Sequence, residues 1–435
     1  MKNNYQTRIL KKLANLQFAI TLLFGIGLII ALGTFIEQDQ TASFYKENYA
    51  ETTPTFGFLT WKFIKFFSLD HVYTAWWFII TLLLFVSSLL ACTFTTQLPS
   101  LKTFKLWKFL NTTQQFKKLN LNDAIETSLG NTFAFQCNTN RYNVFRQSKK
   151  SYAYSGLLGR VAPIVVHISI VLLLIGSTFG SFGGYAAQEI IPRGEVVHIQ
   201  NIIKSGDFSY IPQEISCRIN DFWITYTKEF KIDQFYSDVS LLDSKGSELK
   251  RKTIFVNEPF VYRGLTFYQT DWDIVGLKLK LEDTRFVQIP LKKITKSGKN
   301  FWFGSLKADD NTTPQLFFVL NDLQGKTSVY DTKGVLLEDV IIGDSFFSKS
   351  NKKLQITEFI TTTGLQVKSD PGISVVYLSF LLLMVSIYTS FLSYSQIWML
   401  EIKGKLFLGG KSNRAVLFFQ EEFRKLVKTS KLLEK

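Results

Sequence analysis

Four long windows of the sequence contain no Asp, Glu, Lys or Arg, and they constrain the fold more than any other feature. They cover residues 13–36, 72–101, 161–188 and 371–400, which are 24, 30, 28 and 30 residues long. About 20 apolar residues in a helix cross the roughly 30 Å hydrocarbon core of a bilayer. Each window therefore predicts one spanning helix. The first window starts late and no small-residue cleavage site clearly follows it, so we expect it to be retained rather than removed as a signal peptide.

The net charge of +15 is concentrated beside certain window ends, and this distribution predicts the topology. Lys and Arg exceed Asp and Glu by 4 in residues 1–16, by 8 in 95–160 and by 5 in 394–435, whereas 37–73 is acidic by 2 and 181–371 is balanced. Basic loops stay on the cytoplasm-like side of a membrane. We expect both termini and the middle loop on that inside face. Because the excess charge follows the membrane ends, it does not indicate a nucleic-acid partner.

These patterns predict an α-helical membrane protein with four transmembrane helices and a large β-rich extramembrane domain. The expected segments are a basic inside N-terminus at 1–15, spanning helices at 16–36, 72–94, 161–182 and 371–394, a trans-side loop at 37–71, a basic inside loop at 95–160, the trans-side β-rich domain at 183–370 and a basic inside tail at 395–435.

The long region at 183–370 alternates apolar and polar residues in short runs, which is typical of half-buried β-strands. Such runs at 214–220, 253–257 and 315–320 are separated by Gly, Asp, Asn and Lys turns. We expect a sandwich or an open barrel. The region has one histidine, His198, one cysteine, Cys217, and no phosphate-binding loop or Ser-His-Asp set, so neither zinc nor redox chemistry is expected within it.

The third window contains one histidine, His167, seven residues from its basic end. An ionisable side chain inside a span is costly and usually faces the protein interior or a cavity. Three roles are open: a packed, hydrogen-bonded side chain, a proton relay, or an axial ligand of haem iron. A relay usually needs a carboxylate or a second histidine at membrane depth, and the four windows contain neither. A haem held here would need its other axial ligand from another chain.

Other conspicuous residues have ordinary interpretations. Trp76 and Trp77 begin the second span, where an interfacial aromatic belt is expected. His71 precedes that span at the trans interface and is interpreted as a loop histidine, although contact of His71 or His198 with haem stays open. The three cysteines are Cys92, Cys137 and Cys217, without a CxxC motif. The chain is therefore neither a dithiol oxidoreductase nor a covalent haem acceptor; a role of Cys217 in thiol exchange is undecided.

Several stretches together resemble a known family. They are GTFIEQ at 33–38, WWF at 76–78 with LLACT at 89–93, GRVAPIVVHIS at 159–169 with Gly176 and Gly180, FYSDVSLLD at 235–243, VNEPFVYRGLTFYQTDW at 256–272 and SFLSYSQIW at 390–398. In this order and with this topology, the chain resembles the ResB/Ccs-type membrane subunit of the system II cytochrome c biogenesis machinery, in its plastid or cyanobacterial form.

The resemblance implies a function and a location. It implies a CcsA-type, tryptophan-rich membrane subunit as partner, with which the chain delivers haem b across the thylakoid membrane and attaches it to apocytochromes c. It implies that His167 is an axial ligand of the transported haem. Both termini would be stromal or cytoplasmic, and the β-rich domain would be lumenal. A thioredoxin-like thiol reductant is a further possible partner.

No residue of the chain is assigned a catalytic role, because nothing in it supplies an acid or base for thioether formation. We therefore expect a non-catalytic or co-catalytic subunit of a cytochrome c haem lyase, with enzyme status undecided. The alternative is a membrane-anchored structural or sensor protein whose β-domain binds a protein or ligand and in which His167 is only packed. The stoichiometry with the partner, the strand order of the domain and the apocytochromes served are not predicted.

Overall fold

The computed structural model describes residues 2–99, 101, 109–125, 130–229, 231–281, 285–296, 299–307, 314–347 and 353–432. Its α-helices are α1 (Lys2–Leu13), α2 (Leu16–Phe35), α3 (Ala42–Asn48), α4 (Trp61–Phe66), α5 (Trp76–Cys92), α6 (Thr113–Lys117), α7 (Gly130–Thr139), α8 (Leu158–Gly183), α9 (Ile373–Ser390) and α10 (Val416–Leu432). A 3-10 turn covers Leu69–Thr74 and a π-helical turn covers Thr93–Gln97.

The strands form antiparallel sheets throughout. They are β1 (Leu121–Ile125), β2 (Asn143–Gln147), β3 (Lys150–Ser155), β4 (Tyr185–Pro192), β5 (Val196–His198), β6 (Ile202–Ser205), β7 (Ser216–Tyr226), β8 (Ile232–Leu242), β9 (Glu248–Phe255), β10 (Phe260–Tyr262), β11 (Leu265–Leu281), β12 (Arg285–Pro290), β13 (Lys292–Lys296), β14 (Lys299–Lys307), β15 (Pro314–Leu320), β16 (Lys326–Tyr330), β17 (Leu336–Ile341), β18 (Ser345–Phe347), β19 (Lys353–Ser369), β20 (Ser395–Ile402) and β21 (Lys405–Ser412).

Four helices of the described chain are long and apolar enough to span a bilayer. They cover Leu16–Phe35, Trp76–Gln97, Leu158–Gly183 and Ile373–Ser390, with mean hydropathies of 2.4, 2.3, 2.3 and 1.9. The second continues from α5 through the π-helical turn. The predicted fold class, four apolar helices with a large β-rich domain, is therefore confirmed. The chain divides into two compact units, one containing Met1–Thr178 with Ile373–Lys435 and the other Phe179–Gly372.

Apolar side chains hold the first three spanning helices together. Ile26 of α2 and Phe78, Phe85 and Leu89 of α5 are buried in one cluster, and Ile170, Val171 and Leu174 of α8 pack against it. The last three share a helix face with His167, since they follow it by three, four and seven residues. Helix α9 approaches α8 at Gly176, where an added Cβ would lie 3.1 Å from Val376 and 3.2 Å from Val375.

Residues of the middle loop and of the C-terminal tail form one sheet in the order β1-β21-β20-β3-β2. The tail hairpin β20-β21 lies at its centre, paired with β3 on one side and β1 on the other. Helices α7 and α10 cover one face and bury Phe133, Cys137, Phe419 and Phe423. The sequence predicted a basic inside loop at 95–160 and a separate basic inside tail at 395–435, and nothing in its patterns indicated that the tail completes a sheet with the loop.

The loop between α2 and α5 has a small core of its own. Ile36, Tyr45, Tyr49, Leu59 and Ile64 are buried in it. Helix α4 lies within the aromatic and basic stretch at 56–67, which the sequence predicts to rest on the membrane surface. The side chains of Phe56, Phe58, Phe66 and Phe67 project outward and are 46–81% exposed. The stretch is therefore amphipathic, with one face in the loop core and one aromatic face outside it.

The β-rich unit is built on two long strands. Strands β11 and β19 pair from Leu265 opposite Ser369 to Leu281 opposite Leu354, and 17 residues at about 3.3 Å each extend roughly 56 Å. They belong to a seven-stranded sheet with the path β10-β11-β19-β4-β6, to which β12 and β18 add. Two smaller sheets, β5-β7-β8-β9 and β13-β14-β15-β16-β17, complete the unit.

Each half of the long strands contributes to a different core. Phe267 and Val367 are buried with residues of β7, β8 and β9 in the first core. Leu277 and Ile356 are buried with residues of β14, β15, β16 and β17 in the second. Both cores lie between packed sheets, so the unit is two sandwich-like halves that share β11 and β19. The β-bulges in this pair, between Gln269 and Asp271 and between Ile274 and Gly276, occur where one core gives way to the other.

The close contact of Gly159, at the start of α8, with Leu392 can be tested by substitution. A Cβ at this position would collide with the backbone carbonyl oxygen of Leu392, and a backbone atom cannot move aside as a side-chain end can. We expect Gly159→Ala to lower the free energy of unfolding by about 1–3 kcal/mol. The measurement is thermal unfolding in detergent. Gly27→Ala is the matched control, because a Cβ there meets nothing within 4 Å; equal melting of the two variants would contradict the prediction.

The effect of a buried carboxyl group on stability can be tested at Glu422 of α10, the helix that covers the sheet β1-β21-β20-β3-β2. Burial raises the pKa of Glu422 above 4.5, and the hydrogen bond from Tyr142 offsets this only in part. A carboxyl group that binds its proton more tightly in the folded state destabilises the fold above its folded pKa, and this penalty disappears as pH falls toward 4.5. We expect Glu422→Gln to raise the melting temperature at pH 7.5 and to lose this advantage near pH 4.5. A variant less stable at neutral pH would refute the assignment.

Candidate functional site

His167 lies half-buried in α8, on the side that faces the C-terminal end of the second spanning helix. Its imidazole contacts Thr93 and Gln97, the first and last residues of the π-helical turn. This end of the helix leads into the basic middle loop. The histidine is therefore near the end of the span that the charge distribution predicts to be inside, and it faces a second helix rather than lipid, as expected of a polar group in a bilayer.

The hydrogen bonds of Thr93 determine which imidazole nitrogen carries the proton. The Thr93 hydroxyl lies 2.8 Å from the carbonyl oxygen of Leu89 and 2.9 Å from Nδ1 of His167. A hydroxyl has one proton to donate, and the Leu89 carbonyl can only accept it. With the Thr93 proton on the Leu89 carbonyl, Nδ1 donates its own proton to the Thr93 oxygen, which places the lone pair of the neutral ring on Nε2. This is the arrangement in which a histidine is ready to bind a metal.

Gln97 covers the nitrogen that carries this lone pair. Its side-chain amide nitrogen is 3.3 Å from Nε2 of His167, and its amide oxygen is buried without a hydrogen-bond partner in the described part of the chain. The contact is longer than the usual 2.9–3.0 Å for such a bond, and a bond of this kind contributes only about 1 kcal/mol. A stronger ligand of Nε2 can therefore displace Gln97 at small cost.

The π-helical turn brings the side chains of Thr93 and Gln97 into contact with His167. One extra residue per turn rotates the helix face, and such turns occur frequently at functional sites. Here the turn presents Thr93 and Gln97 to the same imidazole. Neither residue is among the site residues predicted from the sequence. The available signal was the uncharged and mostly polar segment TFTTQ at 93–97, at the end of an otherwise apolar window, although nothing in that segment specifies a partner 74 residues away.

The other histidines lie elsewhere. His71 is in the 3-10 turn that precedes α5, at the opposite end of that helix from Thr93, with its side chain 46% exposed beside Asp70. His198 is exposed on β5 of the β-rich unit. Helix α5 alone, with 17 residues, is about 26 Å long. One iron therefore cannot bind His71 and His167 together.

The cysteines do not form a reactive group in the described chain. Cys217 is buried in the first core of the β-rich unit, and burial raises the pKa of its thiol to about 12. Cys137 is buried beneath α10 and burial likewise raises its pKa to about 12. The thiolate is the reactive form of cysteine, so both thiols are held in their unreactive form at neutral pH. All three cysteines are free.

The protonation of His167 can be measured directly, since the chain has only three histidines. We expect nitrogen-15 NMR of histidine-labelled protein to show the proton of His167 on Nδ1, and His167→Asn assigns its signals. In Thr93→Val the acceptor is lost, and a buried N–H without a partner costs about 1–3 kcal/mol. The proton is then expected on Nε2, facing the amide oxygen of a rotated Gln97. Thr93→Ser is the control that keeps the wild-type signals; an Nε2 proton in wild type would contradict the geometry.

Known proteins are similar to this chain over nearly its whole length. The model of the ResB-like family matches residues 16–328 and 285–424. A cytochrome c biogenesis protein Ccs1 of Emiliania huxleyi is 56% identical over 424 residues, 98% of this chain and 96% of the relative. The Ccs1 of Thalassiosira pseudonana is 44% identical over 98% of this chain and all of the relative, and a protein CcsB of Picosynechococcus is 42% identical over 97% and 91%. The chain belongs to the ResB-like family.

Proposed function

We propose that this chain acts in system II cytochrome c biogenesis, where it carries haem b across the membrane together with a CcsA-type subunit for attachment to apocytochromes c. The observation that supports this most strongly is the imidazole of His167, whose Nδ1 is 2.9 Å from the Thr93 hydroxyl, which donates to the carbonyl oxygen of Leu89. Near-full-length relatives at 42–56% identity are named cytochrome c biogenesis proteins. The membrane histidine and the family relationship thus support the same function.

The residues of the site suit haem as a substrate. Nε2 of His167 is the free nitrogen that iron binds, and Thr93 holds the opposite nitrogen so that the ring keeps its orientation. The helix face beyond His167 is apolar and already packed, since Ile170, Val171 and Leu174 lie against the buried cluster of α2 and α5 and fix the position of α8 beside α5. Gln97 occupies the ligand position while haem is absent. We propose that the second axial ligand comes from the partner subunit, which would make the site shared.

The charge distribution and the relatives support a location. The basic segments at both termini and in the middle loop predict that these lie on the stromal or cytoplasmic side. Relatives occur in plastid-bearing algae and in a cyanobacterium, which favours the thylakoid membrane, with the β-rich unit in the lumen. There the unit would hold the apocytochrome or support the reactive face of the partner. The chain would then be a non-catalytic or co-catalytic subunit of the haem lyase.

The test is His167→Ala in the chain co-expressed with its CcsA-type partner. We expect a large loss of haem from the purified complex, seen as a weaker Soret band, and loss of cytochrome c maturation, because Nε2 is the only group of the site placed to bind iron axially. His198→Ala is the matched control, since His198 is exposed on β5. Unchanged haem content and maturation in His167→Ala would refute the proposed ligand.

The same spectra distinguish the proposed haem carrier from the alternative, a structural or sensor protein. A membrane-anchored structural or sensor protein with a merely packed His167 would give a colourless wild-type complex. It would also leave cytochrome c maturation intact in cells that lack the chain. A Soret band in the wild-type complex that is lost in His167→Ala is expected only of the haem carrier.

A further inference from the structure

We propose that one end of the seven-stranded sheet in the β-rich unit contacts the lipid headgroup layer of the bilayer, through the exposed side chains of Phe208, Tyr210 and Arg263. All three residues belong to the compact unit that covers Phe179–Gly372. This contact is separate from the proposed haem site and does not depend on the proposed function. It would hold the sheet against the membrane at the point where α8 ends.

The chain enters and leaves this sheet at the same end. Helix α8 leads into β4, and β19 leads out toward α9. Four residues paired across neighbouring strands define what is called the helix end of the sheet: Ser205, Tyr185, Ser369 and Leu265. A Cβ at Gly183 would lie 3.0 Å from Pro371, so the last turn of α8 lies beside the residues that precede α9. Segments that continue past the helix end therefore lie on the side from which α8 enters.

The segment after β6 is bound to the last turn of α8 by backbone hydrogen bonds. The N–H of Gly206 donates to the carbonyl oxygen of Gly184 at 2.9 Å, and the N–H of Phe208 donates to that of Phe182 at 2.9 Å. Position 206 has no room for a side chain, because a Cβ there would collide with the carbonyl oxygen of Phe182. The ring centroids of Phe182 and Phe208 are 6.3 Å apart. Phe208 is thus fixed beside the end of a helix long and apolar enough to span the bilayer.

An exposed apolar stripe on α8 continues into this segment. Ile175 and Phe179 are 53% and 57% exposed, and Phe182 follows them by seven and three residues, so the three share one helix face. Phe208 and Tyr210 are 81% and 74% exposed. Because α8 spans the bilayer, lipid chains are the medium that an exposed face of this helix meets. The two rings extend that face to the level at which aromatic residues form interfacial belts.

The hairpin turn between β10 and β11 adds a positive charge at the helix end. Tyr262 pairs with Leu265, so Arg263 and Gly264 lie beyond the paired strands. Their φ angles are 45° and 83°, and a two-residue turn with two positive φ angles favours Asn-Gly or Asp-Gly. The turn geometry therefore does not account for an arginine. Its exposed guanidinium, 5.3 Å from the centre of the Tyr262 ring, suits the phosphate of a lipid headgroup, which arginine binds through two parallel hydrogen bonds.

Exposure alone does not distinguish the helix end from the opposite end of the sheet. Phe347 is 63% exposed and pairs with Lys353, at the start of β19, about 50 Å along that strand from Ser369. Single exposed apolar residues of this kind are ordinary on protein surfaces. Phe208 differs because its backbone is bonded to α8 and its ring lies beside the apolar stripe of that helix. The two phenylalanines therefore form a matched pair for a test.

The test measures membrane depth by spin labelling of the full-length chain in phospholipid nanodiscs, alone and with its CcsA-type partner. A nitroxide is attached at Phe208→Cys in a Cys92→Ser background, because Cys137 and Cys217 are buried. Collisions with oxygen, which concentrates in lipid, are compared with collisions with a water-soluble nickel chelate. We expect oxygen collisions to exceed nickel collisions severalfold at Phe208→Cys. The control, Phe347→Cys, is expected to show the reverse.

A charge reversal tests the contribution of Arg263. We expect Arg263→Glu to remove most of the excess of oxygen collisions at the Phe208→Cys label, because a carboxylate is repelled by lipid phosphates and lifts the helix end from the headgroups. Lys353→Glu is the matched control, since Lys353 is exposed at the opposite end of the sheet, and it should leave the ratio unchanged. An unchanged ratio in Arg263→Glu would overturn the assignment of Arg263 to the contact.

Two results would overturn the lipid contact as a whole. One is a Phe208→Cys label that collides with nickel as freely as the Phe347→Cys label, which would place this segment in water. The other is a label shielded from both reagents, which would show that protein covers the surface, whether in the chain alone or only with the partner. Haem content and cytochrome c maturation in His167→Ala are measured separately, so failure of the lipid contact and failure of the proposed function are distinguishable.

Discussion

The contact between His167 and Thr93 is the interaction on which the proposed haem site depends. A histidine in a span is stable only if its polar atoms have partners, and the Thr93 hydroxyl supplies one by accepting the Nδ1 proton. The same bond leaves Nε2 with its lone pair, covered only by the amide of Gln97. One hydrogen bond therefore both gives the Nδ1 proton a partner and leaves Nε2 with the lone pair that can bind a ligand. The packing of Ile170, Val171 and Leu174 against α2 and α5 brings the helices close enough to form it.

The remaining architecture fixes the two ends of this helix assembly. At one end, the sheet that combines β3 with β20 joins the chain before α8 to the chain after α9, and Gly159 permits the backbone at Leu392 to approach. At the other end, Gln38 connects the end of α2 to the turn before α5. Both junctions are made by residues in stretches that carry the family resemblance, 159–169 and 33–38. Those stretches therefore contain residues that set the geometry of the helix ends as well as the histidine.

The β-rich unit has a different organising constraint. Strands β11 and β19 are long enough to belong to two cores, and the polar side chains of Ser237, Gln269 and Thr363 hydrogen-bond to one another where the cores meet. The resembling stretches at 235–243 and 256–272 contain two of these residues, Ser237 and Gln269. A buried polar group is costly unless it is satisfied, so this network favours one register of the long strands over its neighbours.

The sequence by itself determined the fold class, the candidate ligand and the family resemblance. Uncharged windows of 24–30 residues predict spanning helices because a bilayer cannot solvate charge, and alternation predicts strands because side chains in a strand point alternately to opposite faces. Only the tertiary structure decided which groups meet. Thr93 and His167 are 74 residues apart, and β1 pairs with β21 across nearly 300 residues. Local patterns report the burial of a residue, but pairing depends on how separate elements pack, and no local pattern encodes that.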